Sequence, residues 1–146
     1  MSASSTEIRV FSPEHRDAQF WTLMGPAFAS PTVRSALPTL ADRGDYWFVV
    51  ENGGVVSGFG ALHLDGDRAT LRHAWVAPNE RDSGLGSMVL DARIAQAREL
   101  GATTLLAVVH RDWLASFEAR GFVRGRQNGA YTHVSLSLEP AAEIEA

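Results

Sequence analysis

The chain has 146 residues, 45% of them hydrophobic, and a formal net charge of −4. This length and composition favour one folded domain over residues 1–146 and exclude a disordered chain. The lack of cysteine excludes a disulfide scaffold. The lack of a Lys/Arg stripe argues against a nucleic-acid partner. No apolar run approaches the roughly 20 residues that span a bilayer, and residues 1–6 lack a secretion signal, so a cytoplasmic protein without a membrane partner is expected.

The N-terminal part of the chain predicts a strand followed by two helices. Ser12 followed by Pro13 is typical of a helix start, with serine as N-cap and proline in the first turn. Gly25–Pro26 is expected to end this helix near Met24. The expected elements are a strand over residues 7–11, a helix over 12–24, and a second helix that starts at Ser30–Pro31 and is interrupted by Pro38. Residues 1–6 are expected to be a flexible end.

Three strands joined by tight turns are predicted next. Aromatic and β-branched residues are dense over 46–51, and the Asn-Gly-Gly sequence that follows is a hairpin signal. In the returning strand, Gly58 and Gly60 indicate a bend or a close approach of another part of the chain. The expected strands are 46–51, 55–64 and 69–77, the last two joined by a turn at 65–67.

A helix over residues 85–100 is predicted from its apolar periodicity, and Gly101 is typical of a helix end. The same periodicity predicts Arg93, Arg98 and Glu99 on the exposed face. The predicted core face consists of Leu85, Met88, Val89, Ala92 and Ala95.

The remaining chain predicts a buried strand, a short helix and a final hairpin. The strand over 103–109 is expected to lie parallel to the strand over 69–77, because a helix connects them. Asp112 is the predicted cap of a helix over 113–120, which Gly121 ends. Strands over 122–126 and 131–138 follow, and residues 139–146 are expected to be a flexible end. The predicted order is β-α-α-β-β-β-α-β-α-β-β.

The junction between the strand at 69–77 and the helix at 85–100 has the composition of a phosphate site. It reads Val-Ala-Pro-Asn-Glu-Arg-Asp-Ser-Gly-Leu-Gly over residues 76–86. Helix N-termini present free N–H groups and the positive end of the dipole, and glycines allow an anion to approach the backbone. Ser87 and Met88 after the last glycine exclude a mononucleotide P-loop, and Val89 replaces the third glycine of a dinucleotide fingerprint.

The pattern Val76-x-Pro78-x-x-Arg81-x-x-Gly84-x-Gly86 resembles the cofactor motif of the GNAT N-acetyltransferase superfamily. The resemblance implies an α/β fold with a mixed, mostly antiparallel sheet of six or seven strands, splayed between the fourth and fifth and flanked by about four helices. It also implies that acetyl-CoA or a related acyl-CoA is the co-substrate, and that no metal is used. The residues implied to bind this cofactor are Ala74, Trp75, Val76, Arg81, Asp82, Ser83, Gly84, Leu85, Gly86, Ser87, His110 and Phe117.

A second segment, from His110 to Phe122, also resembles the family, in which Asn-x-x-Ala-x-x-apolar-Tyr-x-x-x-Gly-Phe is common. The frame and the final Gly-Phe match, but His110, Trp113, Ser116 and Phe117 replace the usual residues. The family tyrosine protonates the departing thiolate, and Phe117 has no hydroxyl. Because a thiol has a pKa near 8.5, a thiolate leaves readily, so loss of the acid slows the reaction without preventing it. Tyr131 is the alternative hydroxyl, with sheet packing as the other interpretation.

The attacking amine must lose a proton, since an ordinary primary amine with a pKa near 10.4 is almost fully protonated at neutral pH. In many relatives a glutamate does this at positions matching Thr70 or Arg72, so the usual base is missing. His73 and His110 are the candidate substitutes. The alternatives are a packed histidine for His73, and pantetheine contact or helix-end packing for His110. His63 is interpreted as structural.

By resemblance, the helical region near the N-terminus walls the acceptor pocket, so Trp21, Phe28 and Arg34 are candidate substrate contacts. The aromatic residues can equally belong to the core, and Arg34 can be a solvated surface residue. The expected function is transfer of an acetyl or short acyl group to a primary amine, either a small molecule or a protein N-terminus, with a homodimer as a possible assembly. The alternatives are a non-catalytic acyl-CoA-binding module and, less favoured, a nucleotide-binding protein.

Overall fold

The computed structural model describes residues 7–80 and 83–138, which form a seven-stranded mixed sheet and four α-helices. The strand order is β1-β2-β3-β4-β5-β7-β6, and the predicted α/β fold class is confirmed. The strands are β1 (Ile8–Phe11), β2 (Tyr46–Asn52), β3 (Val55–Asp65), β4 (Arg68–Val76), β5 (Thr104–His110), β6 (Val123–Asn128) and β7 (Tyr131–Ser137). The helices are α1 (Ala18–Ala29), α2 (Pro31–Ala36), α3 (Leu85–Glu99) and α4 (Arg111–Glu118), with a 3-10 turn at Pro78–Glu80.

The predicted parallel pairing of β4 with β5 is present. Arg68, Ala69 and Thr70 pair with Thr104, Leu105 and Leu106, and these are the pairs formed within the described residues. Strand β4 continues to Val76 and β5 to His110 beyond the paired positions. The other pairings of β1, β2, β5, β6 and β7 are antiparallel.

The chain divides into two compact units. Unit 1 comprises residues 1–63 and 72–93, and unit 2 comprises residues 64–71 and 94–146. The expectation of a single domain therefore stays a prediction. Residues 1–6 and 139–146, expected to be flexible ends, lie outside the described residues.

In unit 1, helices α1 and α2 cover one face of the strands. The buried cluster there joins Phe20, Leu23 and Met24 of α1 to Trp47 and Val49 of β2 and to Phe59 and Ala61 of β3. We call this side of the strands the α1–α2 face. Because side chains alternate along a strand, residues of the same parity on β2 and β3 share this face.

Helix α1 begins and ends later than predicted. Its N-cap is Asp17, whose side chain accepts a hydrogen bond from the Phe20 N–H, whereas Ser12 only accepts through its carbonyl in a preceding turn. The helix continues through Pro26 to Ala29, so the predicted end near Met24 is wrong. Proline removes one backbone hydrogen bond, but burial of Ala27 beside the core keeps this turn helical. Helix α2 begins at the predicted Ser30–Pro31 pair.

Helix α3 buries Leu85 and Val89 and exposes Arg98 and Glu99 as predicted, and Arg93 is the main correction. Arg93 is only 3% exposed, whereas Ala95 of the predicted core face is exposed. The reason is Gly60 on β3, where an added Cβ would lie 2.8 Å from Arg93 Cζ and 2.9 Å from a Val89 methyl group. The missing side chain leaves room for the guanidinium, and we call this side of the strands the α3 face.

Unit 2 has its own small core. Leu105, Ala107 and Val109 of β5 are buried, as are Leu114 and Phe117 of α4. The N-cap of α4 is His110, whose ring accepts from the Asp112 N–H, so the predicted cap at Asp112 is wrong. Histidine was not expected as a cap because Ser, Thr, Asp and Asn are the usual capping residues.

A hydrogen-bonded network holds the segment that enters β2. Arg16 binds Asp42 through two nitrogens, at 2.6 and 2.9 Å, and donates to the Asp45 carbonyl at 2.7 Å. Asp42 also accepts from the Trp47 indole N–H and from the Asp45 backbone N–H. Burial alone would raise the pKa of Asp42, but the hydrogen bonds from Arg16, Trp47 and Asp45 lower it to about 2.

We expect Asp42→Asn to destabilise the protein in a pH-dependent way. Since the folded-state pKa lies below the usual 3.8, the contribution is complete above about pH 4 and is lost as pH falls towards 2. Allowing for solvent screening, the loss is about 1–2 kcal/mol at pH 7. Urea unfolding at pH 7, 4 and 2.5 measures it, with exposed Asp65→Asn as the control at under about 0.5 kcal/mol. A deficit in Asp42→Asn that does not shrink in acid would contradict the assignment.

Candidate functional site

The turn that leads from β4 into α3 has the geometry predicted from its glycines. Gly84 has a φ of +88°, a conformation that L side chains rarely adopt, and an added Cβ there would meet open space. The first bond of the helix runs from the Met88 N–H to the Gly84 carbonyl at 3.0 Å. Ser83 is exposed and its hydroxyl donates to the Glu80 carbonyl. Gly86 and Ser87 are half-buried in the first turn, and Leu85 is buried.

Two of the predicted cofactor residues, Arg81 and Asp82, lie outside the described residues. The other predicted cofactor residues between positions 74 and 87 belong to unit 1. They extend from Ala74, Trp75 and Val76 at the end of β4 to the first turn of α3. The helix start therefore offers backbone N–H groups and a positive dipole end directly after β4.

Strand β4 is interrupted at His73, which has a φ of +53° and is the one non-glycine residue in the described chain with a positive φ. A left-handed residue inside a strand is typical of a bulge, and it redirects the residues that follow. The ring of His73 stacks on Trp47, with centroids 6.1 Å apart and planes 8° apart. Arg72 lies beside it, with a guanidinium nitrogen 3.2 Å from His73 Nε2.

Arg93 supports β4 immediately before this interruption. Its guanidinium donates to the Arg72 carbonyl at 3.4 Å and to the Ala61 carbonyl of β3 at 3.2 Å. Burial lowers the pKa of Arg93 to about 10, so it remains protonated at neutral pH. A buried cation bonded to the two strands holds them where β4 changes direction.

The surroundings of His73 favour its neutral form. Burial lowers its pKa, the charges of Arg72 and Arg43 lower it further, and Asp45 offsets part of this effect. A neutral imidazole suits a proton acceptor, but His73 Nε2 already accepts from the Arg72 guanidinium, so the catalytic role of His73 stays a prediction.

The candidate substrate residues Trp21 and Phe28 lie in unit 1 with His73. Their rings are 5.9 Å apart, and Phe28 contacts Trp47 at 5.2 Å, so an aromatic series connects α1 to His73. Trp21 is 44% exposed and stands at the outer end of this series. Arg34 is exposed and donates to the Phe28 carbonyl at 3.0 Å, so its guanidinium also supports the backbone of α1.

Sequence reasoning missed a pair formed by Asp45 and His63. Asp45 Oδ1 lies 2.7 Å from His63 Nδ1, with the Asp45 side chain 0% exposed and that of His63 33% exposed. Both lie on the α1–α2 face, since Asp45 is two residues before Trp47 and His63 is two residues after Ala61. The sequence signal was the Asn52–Gly54 hairpin, which predicts that the start of β2 lies against the end of β3.

The other candidate residues belong to unit 2. His110 Nδ1 accepts from the Asp112 N–H at 3.1 Å, so in the neutral ring the proton is on Nε2. Tyr131 is 51% exposed and meets the His110 ring edge-on at 5.3 Å. Phe117 is buried against Phe122 at 5.0 Å. The catalytic role of His110 and Tyr131 and the cofactor contacts of His110 and Phe117 stay predictions.

A cavity of about 410 Å³ lies in unit 1 beside the β2–β3 hairpin. It reaches Leu85 and Glu80, but its charged lining is mostly acidic, with Glu7, Glu51 and Glu80 against a single Arg9, which already pairs with Glu51. An acidic lining repels phosphate, so the cavity does not serve as a pyrophosphate site.

A family model described as "Acetyltransferase (GNAT) family" matches residues 9–130. The chain belongs to the GNAT acetyltransferase family. No curated protein sequence matches it. The match spans the β4–α3 turn, the interruption of β4 and the Asp45–His63 pair, so all three are features of the GNAT domain of this chain.

Solved structures share this fold. An acyl-CoA N-acyltransferase from Pseudomonas aeruginosa superposes with a TM-score of 0.72 at 13% identity, over 90% of this chain and 99% of that one. The ribosomal-protein-S18-alanine N-acetyltransferase from Escherichia coli gives 0.66 at 20% identity, over 96% and 99%. N-acetylglutamate synthase from Neisseria gonorrhoeae, in complex with coenzyme A and N-acetyl-glutamate, gives 0.62 at 19% identity, over 94% of this chain and 37% of that one. None of the helices among residues 7–80 and 83–138 is long and apolar enough to cross a membrane.

The positive φ of His73 predicts a difference between two substitutions of similar volume. Asparagine tolerates left-handed backbone, whereas β-branched valine does not. We expect His73→Val to be less stable than His73→Asn by about 1–2 kcal/mol. Urea unfolding of the two variants measures this difference, and both lose the Trp47 stack equally. Equal stability of the two would show that β4 does not need the left-handed residue.

Proposed function

We propose that the protein is an N-acyltransferase that moves an acetyl or short acyl group from acyl-CoA to a primary amine by direct attack on the thioester. Membership of the GNAT family supports acyl transfer. The observation that carries the donor assignment is the β4–α3 turn, where Gly84 opens the start of a 15-residue helix to an anion. The acceptor is a small amine or a protein N-terminus, as in the Escherichia coli relative named for ribosomal protein S18 alanine.

In this proposal the backbone of residues 83–87 binds the pyrophosphate of the donor, with Arg81 as the side-chain contact. N–H groups at the start of a helix suit an anion because they lack acceptors within the helix and sit at the positive end of the dipole. Backbone N–H groups near Ala74–Val76, after the interruption at His73, donate to the thioester oxygen. Donors held in place before reaction stabilise the oxyanion without reorganisation.

The amine nitrogen then attacks the carbonyl carbon, and the C–S bond breaks. Phe117 supplies no proton. The thiolate leaves unprotonated because the pKa of the corresponding thiol is low. The competing proposal is a donor-binding module without catalysis, which is motivated by the missing glutamate and tyrosine.

Acetyl-CoA should raise the melting temperature, and ATP and NAD should not. A ligand at 100 times its Kd adds about 2.7 kcal/mol to stability.

Gly84→Ala should weaken acetyl-CoA binding by about tenfold or more, equivalent to about 1.4 kcal/mol. Calorimetric titration of each variant measures the Kd.

Gly101→Ala is the matched control for this prediction. Gly101 follows α3, has a φ of +84° and has open space at its Cβ position, so alanine there introduces the same backbone strain away from the β4–α3 turn. We expect its Kd for acetyl-CoA to stay within about twofold of the parent. Stabilisation by ATP but not by acetyl-CoA, or equal weakening in both variants, would contradict the donor site.

Transfer itself is tested with acetyl-CoA and a panel of primary amines that includes alkylamines, amino-acid amides and short peptides with free N-termini. We expect thiol release and an equimolar N-acetyl product with at least one of them. Tight binding of acetyl-CoA without product from any amine would favour the binding module instead.

A further inference from the structure

We propose that His63 is the general base that deprotonates the acceptor amine, and that Asp45 is the positioning residue that orients its ring. This inference rests on the proposed acyl transfer and adds the residue that the missing glutamate leaves unassigned. It gives a catalytic role to His63, which the sequence analysis interpreted as structural.

The geometry fixes which ring nitrogen is available. An ionised carboxylate only accepts hydrogen bonds, so His63 Nδ1, 2.7 Å from Asp45 Oδ1, carries the proton and donates it. The Nε2 lone pair is then the free basic atom of the neutral ring. The hydrogen bonds of the described residues include no partner for Nε2, and the side chain is 33% exposed, so an amine or a water can reach it.

Asp45 is held so that it has little freedom to turn away. Its side chain is fully buried, its second oxygen accepts from the Arg43 N–H at 3.4 Å, and its backbone is bound by Arg16 and Asp42. A buried carboxylate that orients a histidine is the arrangement that prepares an imidazole for proton transfer in hydrolytic triads. The neighbouring charged and titratable groups are Arg43, Arg72, His73, and the Arg16–Asp42 pair.

The position matches the direction from which an amine would arrive. The pair shares the α1–α2 face with Trp47, on which His73 stacks, and the aromatic series from Trp21 ends at the same place. Asp45 lies two residues before Trp47, on which the His73 ring stacks, so the pair lies on the same face as the interruption of β4. The proposed oxyanion donors follow this interruption on β4, in the same unit.

By contrast, the two histidines predicted from sequence have their acceptor nitrogens engaged. His73 Nε2 faces the Arg72 guanidinium, and His110 Nδ1 accepts from the Asp112 N–H. His63 is the histidine of these three whose acceptor nitrogen is open.

The proton and electron balance is complete without a further reactant. The ammonium form of the acceptor gives one proton to His63 Nε2, and the freed nitrogen lone pair attacks the carbonyl carbon of the acyl-CoA. Collapse breaks the C–S bond and releases the thiolate. The second proton of the nitrogen is lost to the thiolate or to water, and His63 returns its proton to solvent.

The test compares His63→Asn with the parent on an amine that the parent acetylates. The asparagine amide still donates to Asp45 but has no basic nitrogen, so folding and acetyl-CoA affinity should be retained. We expect kcat at pH 7 to fall by about 10²–10⁴-fold. The deficit should shrink as pH rises towards the pKa of the amine, about 10.4 for an alkylamine, because the base is then unnecessary. Asp45→Asn should also lower kcat, since its amide donates to Nδ1 and leaves the proton on Nε2.

His15→Asn is the matched control, because His15 also pairs with an aspartate in unit 1, but with Asp17, which is 60% exposed. Its kcat should equal that of the parent. A pH-independent loss in His63→Asn would assign His63 to structure, and unchanged kcat would overturn the inference, in both cases with acyl transfer intact. Failure of the parent to acetylate any amine would overturn the proposed function and this inference with it.

Discussion

Burial of the Asp45 carboxyl group is the constraint around which unit 1 is arranged. A charge removed from water is costly unless it is paired and hydrogen-bonded, and Asp45 is 0% exposed. The His63 ring donates to one carboxylate oxygen of Asp45, and the Arg43 N–H donates to the other. Arg16, which is paired with Asp42, donates to the Asp45 carbonyl and so fixes the backbone. Such a network stabilises only when all its members are satisfied, which explains why so many polar groups converge on the entrance to β2.

The two faces of the unit 1 strands have different roles in the proposed function. The α1–α2 face carries Asp45, His63 and the aromatic series, which suits an acceptor amine. The α3 face carries Arg93, whose guanidinium bonds the carbonyls of Ala61 and Arg72 and so supports β4 before His73. Strand β4 connects the two, because its interruption lies against Trp47 and its end leads to the Gly84 turn.

Much of the fold follows from local sequence patterns. The order of strands and helices, the Ser30 cap and the Gly84 turn were predictable, because each depends on residues adjacent in the chain. Arg93 could not be placed, since helical periodicity treats arginine as exposed, and its burial depends on the missing side chain of Gly60 on another element. The helix start at Asp17 was missed because two capping residues compete and packing of Phe20 selects the later one.

The Asp45–His63 pair shows the limit most clearly. A regular hairpin around residues 52–55 would place Asp45 opposite Leu62. Because side chains alternate along a strand, Leu62 lies on the opposite face of β3 from His63. The register of β2 and β3 shifts between Val50 and Glu51, and beyond the shift Tyr46 pairs with Leu62, so Asp45 comes to His63 instead. Gly58 indicated a bend in this strand, but composition does not give the resulting register, which decides which side chains meet.

The most direct test of this account is the ring ¹⁵N spectrum of His63 in the intact protein, measured where the ring is neutral. The account predicts a single tautomer with the proton on Nδ1 and a bare Nε2, and loss of that preference in Asp45→Asn. His15, half-buried and measured in the same spectrum, is the internal reference for a histidine paired with a solvated carboxylate. A His63 proton on Nε2, or an even mixture of the two tautomers, would contradict the claim that the buried Asp45 holds this ring ready to accept a proton.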